Sequence, residues 1–229
     1  FVDPGSPVVV EDPTYMAALQ AFEVFEPCFV PVRLESDGVD LSDCQEKLRQ
    51  MKPRFFYTIS TFQNPTGACY TEDKRRKVAA ILQQNDVVLV EDDPYSELYF
   101  ESPPPGYLAA HCPGRAIVCG SFSKTWAPGL RLGWVFAPEP WMTRLVVAKQ
   151  AADLCTGAFN QHVLYECLQG GLVEKHLGLL RQEYRKQRDA MLDCIRHHFG
   201  DQGQVQCPGG GMFVWLTLPP RVSGTALLE

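Results

Sequence analysis

The sequence predicts an α/β protein: a mainly parallel sheet flanked by helices, followed by the beginning of a smaller α+β domain. Three observations carry this. Short β-branched runs alternate with helix-period segments over the first two thirds of the chain. The 229 residues are 45% hydrophobic, enough for a substantial core. Polar, turn-forming clusters follow three of the apolar runs, where the strand ends of such a sheet gather.

The elements follow in order. PVVVE, Pro7 to Glu11, reads as a buried strand, with a helix through Ala17 to Phe25 and a second strand over Phe29 to Val32. Ser42 and Gln45 have the spacing of a capping box, opening a helix to about Arg49. RFFYTIS, Arg54 to Ser60, is a third strand that ends in the QNPTG turn. Thr71 caps the next helix, whose first turn carries Glu72 and Asp73 against the positive end of the helix dipole and which runs to about Gln84. A fourth strand, Val87 to Glu91, stops at Pro94 because proline cannot continue a central ladder. Ala116 to Cys119 and Leu132 to Ala137 supply the fifth and sixth.

After Pro140 the pattern becomes helix on helix. The longest helix is expected over Leu172 to Phe199, with Leu177, Leu180, Tyr184, Met191 and Ile195 on an apolar face and Glu174, Arg181, Lys186 and Arg188 on a polar one. PGGGMFVWLTLP then reads as a glycine turn and a strand. The expected division is a large domain over 1–180 and a linking helix with the start of a small domain over 181–229. The chain opens on Phe1 without methionine and closes in VSGTALLE, so it reads as an excerpt of a longer polypeptide.

Composition narrows the function classes. The net charge is -6 and no basic run is present, so no electrostatic footprint for nucleic acid is expected in this chain. No apolar stretch approaches the roughly 20 residues that cross a bilayer. The nine cysteines are scattered without metal-ligand spacing, which suits reduced thiols and a cytoplasmic protein. His197 and His198 end the long helix, where positive charge suits the dipole; neither they nor His111, His162 and His176 suggest a metal. Trp126, Trp134, Trp141 and Trp215 read as packing residues.

The polar clusters carry the chemistry. They are Gln63-Asn64-Pro65 after the third strand, Asp92-Asp93-Pro94-Tyr95 after the fourth, and Ser121 to Lys124 after the fifth. Singly, each has an ordinary reading: a Pro/Gly turn, a strand stop with a solvated carboxylate, a surface loop. Together they bring an amide, an acid and an amine to one crevice, with Arg131 seven residues beyond Lys124.

In this order and spacing, Asn64-Pro65-x-Gly67, Asp92-x-x-Tyr95 and Ser121-x-Ser123-Lys124 with Arg131 resemble the fold-type I pyridoxal-phosphate enzymes, specifically the class I/II aminotransferases. EDPTY, EDDPY, GSFSKTWAPGLRLGW and PGGGMFVW are similar to the 2-aminoadipate and multi-substrate branch. The resemblance implies pyridoxal 5'-phosphate as cofactor and assigns roles. Asp92, rather than Asp93, faces the ring nitrogen and keeps it protonated. Asn64 and Tyr95 hold the ring's phenolate oxygen. Ser121, Ser123 and Arg131 bind the phosphate, the arginine in bidentate fashion. Lys124 is the Schiff-base lysine and proton shuttle. Tyr15 stacks on the ring, Asn64 also reaches the substrate carboxylate, and the Asn64–Pro65 bond is cis.

The family's phosphate-binding turn would lie before Phe1 and its carboxylate-binding arginine after Glu229. The function implied is transfer of an amino group from an L-amino acid (2-aminoadipate, aromatic or aliphatic) to a 2-oxo acid such as 2-oxoglutarate, by a homodimer. Two rivals share these motifs: the effector domain of a MocR-like transcription regulator, and a related pyridoxal-phosphate lyase.

Overall fold

The computed structural model describes residues 2–227, so the last two residues of the expected small-domain span lie outside the described residues. Its strands are β1 (Pro7–Asp12), β2 (Cys28–Glu35), β3 (Gly38–Val39), β4 (Phe55–Thr58), β5 (Val88–Asp93), β6 (Ala116–Ser121) and β7 (Gly133–Phe136), forming one sheet in the order β3-β2-β1-β4-β5-β6-β7. The five central strands run parallel, and β3 and β7 close the edges antiparallel. The mainly parallel sheet expected from the sequence is therefore present. The two-residue β3 was not anticipated, since two residues carry no periodicity.

Side-chain parity sorts the sheet into two layers. Val9, Phe56 and Leu89 point to one face, where α2 (Leu41–Met51) and α3 (Glu72–Gln84) cover them with Leu48, Val78 and Leu82. Val8, Val10, Phe55 and Tyr57 point to the other, under α1 (Met16–Glu23), α5 (Ala158–Gln169) and α6 (Leu172–Phe199). A further helix, α4 (Glu139–Asp153), connects β7 to α5.

Local signals account for the starts of α2 and α3 and the end of α1. Thr71 is the N-cap of α3, its hydroxyl accepting from the Lys74 N–H at 3.2 Å. The expected capping box at Ser42 is not formed. Asp40 caps α2 instead, one carboxylate oxygen accepting from the N–H groups of Ser42 and Asp43 at 2.9 and 3.1 Å. The ionised carboxylate is the stronger acceptor, and Ser42 donates its own hydroxyl to it at 2.6 Å. Helix α1 stops at Glu23, short of the expected Phe25; Glu26, held out of helical geometry by Pro27, has φ 51°.

Helix α6 spans the expected residues, but its faces differ from expectation. Val173, Leu177 and Leu192 are buried, whereas Met191 is 54% exposed. Arg188, assigned to the polar face, is buried: its guanidinium donates to the Pro208 carbonyl at 2.8 Å, Glu101 at 2.9 Å and Asp189 at 2.9 Å. Arg181 likewise donates to the Glu97 carbonyl at 2.8 Å and lies 3.9 Å over the Tyr99 ring. This side of α6 docks on the segment after β5 instead of facing water. Hydropathy periodicity misses this because a paired arginine can be buried where an unpaired one cannot. Trp215, expected to pack, is 41% exposed.

The glycine-rich PGGGMF segment closes against the strand ends. Gly210 bridges Tyr99, the Gly211 N–H donates to the Leu98 carbonyl at 2.9 Å, and a Cβ at Gly210 would lie 2.6 Å from that oxygen. Beyond it β9 (Leu216–Thr217) pairs antiparallel with β8 (Gln204–Val205). Gly67 meets the same segment: φ is 72°, and a Cβ there would sit 2.8 Å from the Phe213 carbonyl oxygen. Gly67→Ala is expected to lower stability by about 1–3 kcal/mol through left-handed strain plus that clash, read as a drop in the urea midpoint at unchanged m.

Candidate active site

The carboxyl ends of β4, β5 and β6 are adjacent because those strands are parallel neighbours: Tyr57 pairs with Val90, and Asp92 with Cys119. Asp92 shares the parity of Val88 and Val90 and so faces the α1/α6 side, where the Tyr57 hydroxyl donates to its carboxylate at 2.8 Å. Asp93 points the other way and is consumed locally, accepting from the Ser96 N–H at 3.0 Å and the Ser96 hydroxyl at 2.6 Å. Strand parity thus separates two adjacent acids that the sequence ranked only by resemblance.

Asp92 is half-buried, and desolvation raises its pKa; the Tyr57 hydrogen bond opposes this and the Asp93 charge adds to it. Among the described residues no cationic side chain pairs with it. A carboxylate in that condition is complementary to a protonated ring nitrogen. Tyr95 is buried, lies edge-on to Phe213, and receives a long hydrogen bond from the Asn64 amide at 3.5 Å. Burial pushes its phenol up to about 12, so it is a neutral donor at ordinary pH. Asn64 sits on the turn after β4, where the Asn64–Pro65 bond is cis, as is Asp12–Pro13. Tyr15, the N-cap of α1, is 37% exposed and close enough to Tyr57 and Tyr95 to push both phenols upward.

The third cluster lies on the β6–β7 connection. Ser121 ends β6 opposite Gly133, and its hydroxyl accepts from the Ser123 N–H at 3.1 Å. The Phe122 N–H donates to the Leu132 carbonyl at 3.1 Å, which folds the chain back from β6 into β7. Arg131 has φ 54° and donates to the Pro128 carbonyl at 3.3 Å, its side chain exposed. Gly120 is where Trp134 crosses the strand: a Cβ there would overlap the indole, so this tryptophan packs across the hairpin. Lys124 is exposed, with no hydrogen bond or ion pair to any described residue.

Beneath the turns lies a polar layer that sequence reasoning missed. Glu11, 1% exposed, accepts from the Thr58 and Tyr70 hydroxyls at 2.6 and 2.7 Å, the Gln63 amide at 3.0 Å and the Ile59 N–H at 3.3 Å. Glu91, also buried, accepts from Ser60, the Leu108 and Ala109 N–H groups and Arg75. The available signal was acids at the last positions of otherwise apolar strands. Glu11 has no cation, and desolvation raises its pKa to about 7 despite four donors.

A raised carboxyl pKa gives stability that is complete below the unfolded value and disappears as pH climbs through the folded one. Relative to Glu11→Gln, the native protein is therefore expected to lose on the order of 3 kcal/mol between about pH 4.5 and 8, measured by urea unfolding across that range. A flat difference would contradict the assignment.

The described residues hold no group of histidine, cysteine or acidic side chains that could take a metal. His111 does meet a carboxylate, Glu72 at 3.3 Å, which the sequence spacing did not reveal. All nine cysteines are free thiols, and no helix among the described residues is long and apolar enough to cross a membrane.

A mainly parallel α/β sheet flanked by helices on both faces is the architecture of a pyridoxal-phosphate transferase major domain. The family model "Aminotransferase class I and II" matches residues 1–228, and the chain belongs to that family. It is 40% identical, over its full length and 56% of the relative's, to aromatic-amino-acid aminotransferase 1 of Thermococcus litoralis. It is 40% identical to the 2-aminoadipate transaminase of Thermus thermophilus, over its full length and 58% of that protein. The crystal structure of Pyrococcus horikoshii kynurenine aminotransferase in complex with PMP superimposes with a TM-score of 0.95 at 39% identity, covering all of this chain and 58% of that one. HTH-type transcriptional regulators also match, YisV of Bacillus subtilis at 32% identity over 93% of this chain and 44% of its own length. The chain thus spans little more than half the length of the aminotransferases it matches.

Proposed function

We propose that the whole protein is a pyridoxal-phosphate-dependent aminotransferase moving the amino group of an L-amino acid to a 2-oxo acid such as 2-oxoglutarate. The observation that carries this reading is the half-buried, cation-free Asp92 carboxylate, oriented by Tyr57 one strand from the loop that presents Lys124. When bound, pyridoxal phosphate supplies the electron sink for the pair left on the substrate Cα after proton loss.

The protein's part is attachment, orientation and proton movement. Asp92 holds the proton on the ring nitrogen. Asn64 Nδ2 and the Tyr95 hydroxyl would donate to the phenolate oxygen, and Tyr15 would stack on the ring. Ser121, Ser123 and Arg131 bind the phosphate, two short donors and one delocalised cation on a single hairpin. Lys124 would be the covalent attachment point, and its free amine would take the Cα proton and return it. Asn64 is also placed to meet the substrate carboxylate.

Aromatic and 2-aminoadipate donors are proposed in keeping with the names of two relatives, and aliphatic donors on the motif resemblance alone. We propose a homodimer in the cytoplasm, with the free thiols supporting a reducing compartment. The large domain is taken as 1–180 and the linking helix with the start of a small domain as 181–229, a division supported by the separate β8–β9 pair. The regulator reading draws on the weaker YisV match.

Incubating the protein with pyridoxal phosphate, a panel of L-amino acids and 2-oxoglutarate tests the reading. The expected result is glutamate formation that requires both substrates. Pyruvate and ammonia released without a second oxo acid would establish the lyase instead, and no turnover with any donor would overturn the proposal.

A further inference from the structure

We propose that Gln63 is a positioning residue that fixes Asn64 and Tyr15 relative to one another, and so sets how firmly the cofactor's phenolate oxygen is held; the inference rests on the function proposed above. Gln63 is fully buried. Its amide nitrogen donates to Glu11 at 3.0 Å and to the Pro13 carbonyl at 2.9 Å. Its amide oxygen accepts from the Thr66 N–H at 2.9 Å and the Thr66 hydroxyl at 2.7 Å. Both donors and both acceptor sites of the side chain are therefore occupied.

The partners lie on different turns. Pro13 belongs to the β1–α1 turn that carries Tyr15 two residues on, and Thr66 to the β4–α3 turn that carries Asn64 two residues back. The backbone of Gln63 completes the second turn, its N–H donating to the Ala68 carbonyl at 2.8 Å and its carbonyl accepting from the Gly67 N–H at 2.6 Å. One amide thus spans both turns, and Glu11 anchors it through the Thr58 and Tyr70 hydroxyls. Gln63 touches neither substrate nor cofactor in this account. It acts through the placement of Asn64, whose amide is already at the far limit of hydrogen-bond distance from Tyr95.

Gln63→Leu keeps the volume and removes the four hydrogen bonds. With Asn64 less well held, the phenolate loses donors that favour it. The visible absorbance of the protein–pyridoxal phosphate complex, titrated with pH, is expected to change at a midpoint about one pH unit higher than in the native protein, with the dissociation constant for pyridoxal phosphate raised about tenfold. The control is Asp40→Ala, which removes the α2 cap outside both turns and should lower stability by about 1 kcal/mol without moving that midpoint. A Gln63→Leu protein that is less stable but has an unchanged midpoint would reduce Gln63 to a fold residue and overturn the proposal. If Gln63→Leu does not fold, Thr66→Val decides by the same titration: a smaller upward shift supports the proposal, and no shift overturns it. A native protein with no such absorbance would instead defeat the function proposed above.

Discussion

Lys124→Ala is expected to reduce amino-group transfer by at least about 10⁴-fold while leaving the fold intact. Two losses combine: the amine that attaches the cofactor, and the base that moves the Cα proton, the latter alone contributing roughly 10²–10⁴-fold. The fold should hold because Lys124 is exposed and makes no hydrogen bond or ion pair to any described residue; such positions shift stability by about 0.5 kcal/mol or less. Lys124→Arg, which keeps the charge but cannot deprotonate, should be equally inactive. Added small primary amines should restore part of the Lys124→Ala rate, as a base supplied from solution would. The measurement is steady-state turnover with matched thermal unfolding, and a variant within tenfold of the native rate would remove Lys124 from the chemistry.

Asp92→Asn is expected to cost roughly 10²–10⁴-fold in turnover, the kinetic equivalent of the about 3–5 kcal/mol lost when one member of a buried charge pair is removed. Asparagine keeps the shape and can still meet the Tyr57 hydroxyl, so the loss isolates the charge. Tyr57→Phe should lie between the native protein and Asp92→Asn: it keeps the acid but frees its orientation, and removes a hydrogen bond that opposes the rise in the Asp92 pKa. Asp93→Asn serves as the contrast. Its carboxylate caps Ser96 on the opposite side of the strand, so its effect should fall on stability and not on rate. Equal kinetic losses in Asp92→Asn and Asp93→Asn would contradict the parity argument.

The parts of this fold legible in the sequence are those with local causes. Strand runs, the Thr71 cap and the extent of α6 follow from apolar periodicity and capping chemistry. The family motifs pointed to strand ends that the sheet order brings together. What could not be read depends on partners distant in sequence. Arg188 looks like a surface residue until Glu101 and the Pro208 carbonyl are seen around it. Tyr57 reads as one more aromatic in a strand, because its hydroxyl's partner lies 35 residues away. Glu11 and Gln63 look like ordinary strand-end and turn residues, and their joint layer appears only when β1 and β4 are paired. The Ser42 capping box failed for a nearer reason: Asp40, two residues earlier, starts the helix and accepts the Ser42 N–H that the Gln45 side chain would have had to take, which leaves Ser42 inside the first turn.

Borohydride reduction of the protein mixed with pyridoxal phosphate, followed by proteolysis and mass spectrometry, locates the lysine that carries the cofactor. The structure predicts one dominant modified peptide, containing Lys124, and its disappearance in Lys124→Ala. Dominant labelling of another lysine such as Lys74 or Lys149, or equal labelling of many, would contradict a site built from the ends of β4, β5 and β6.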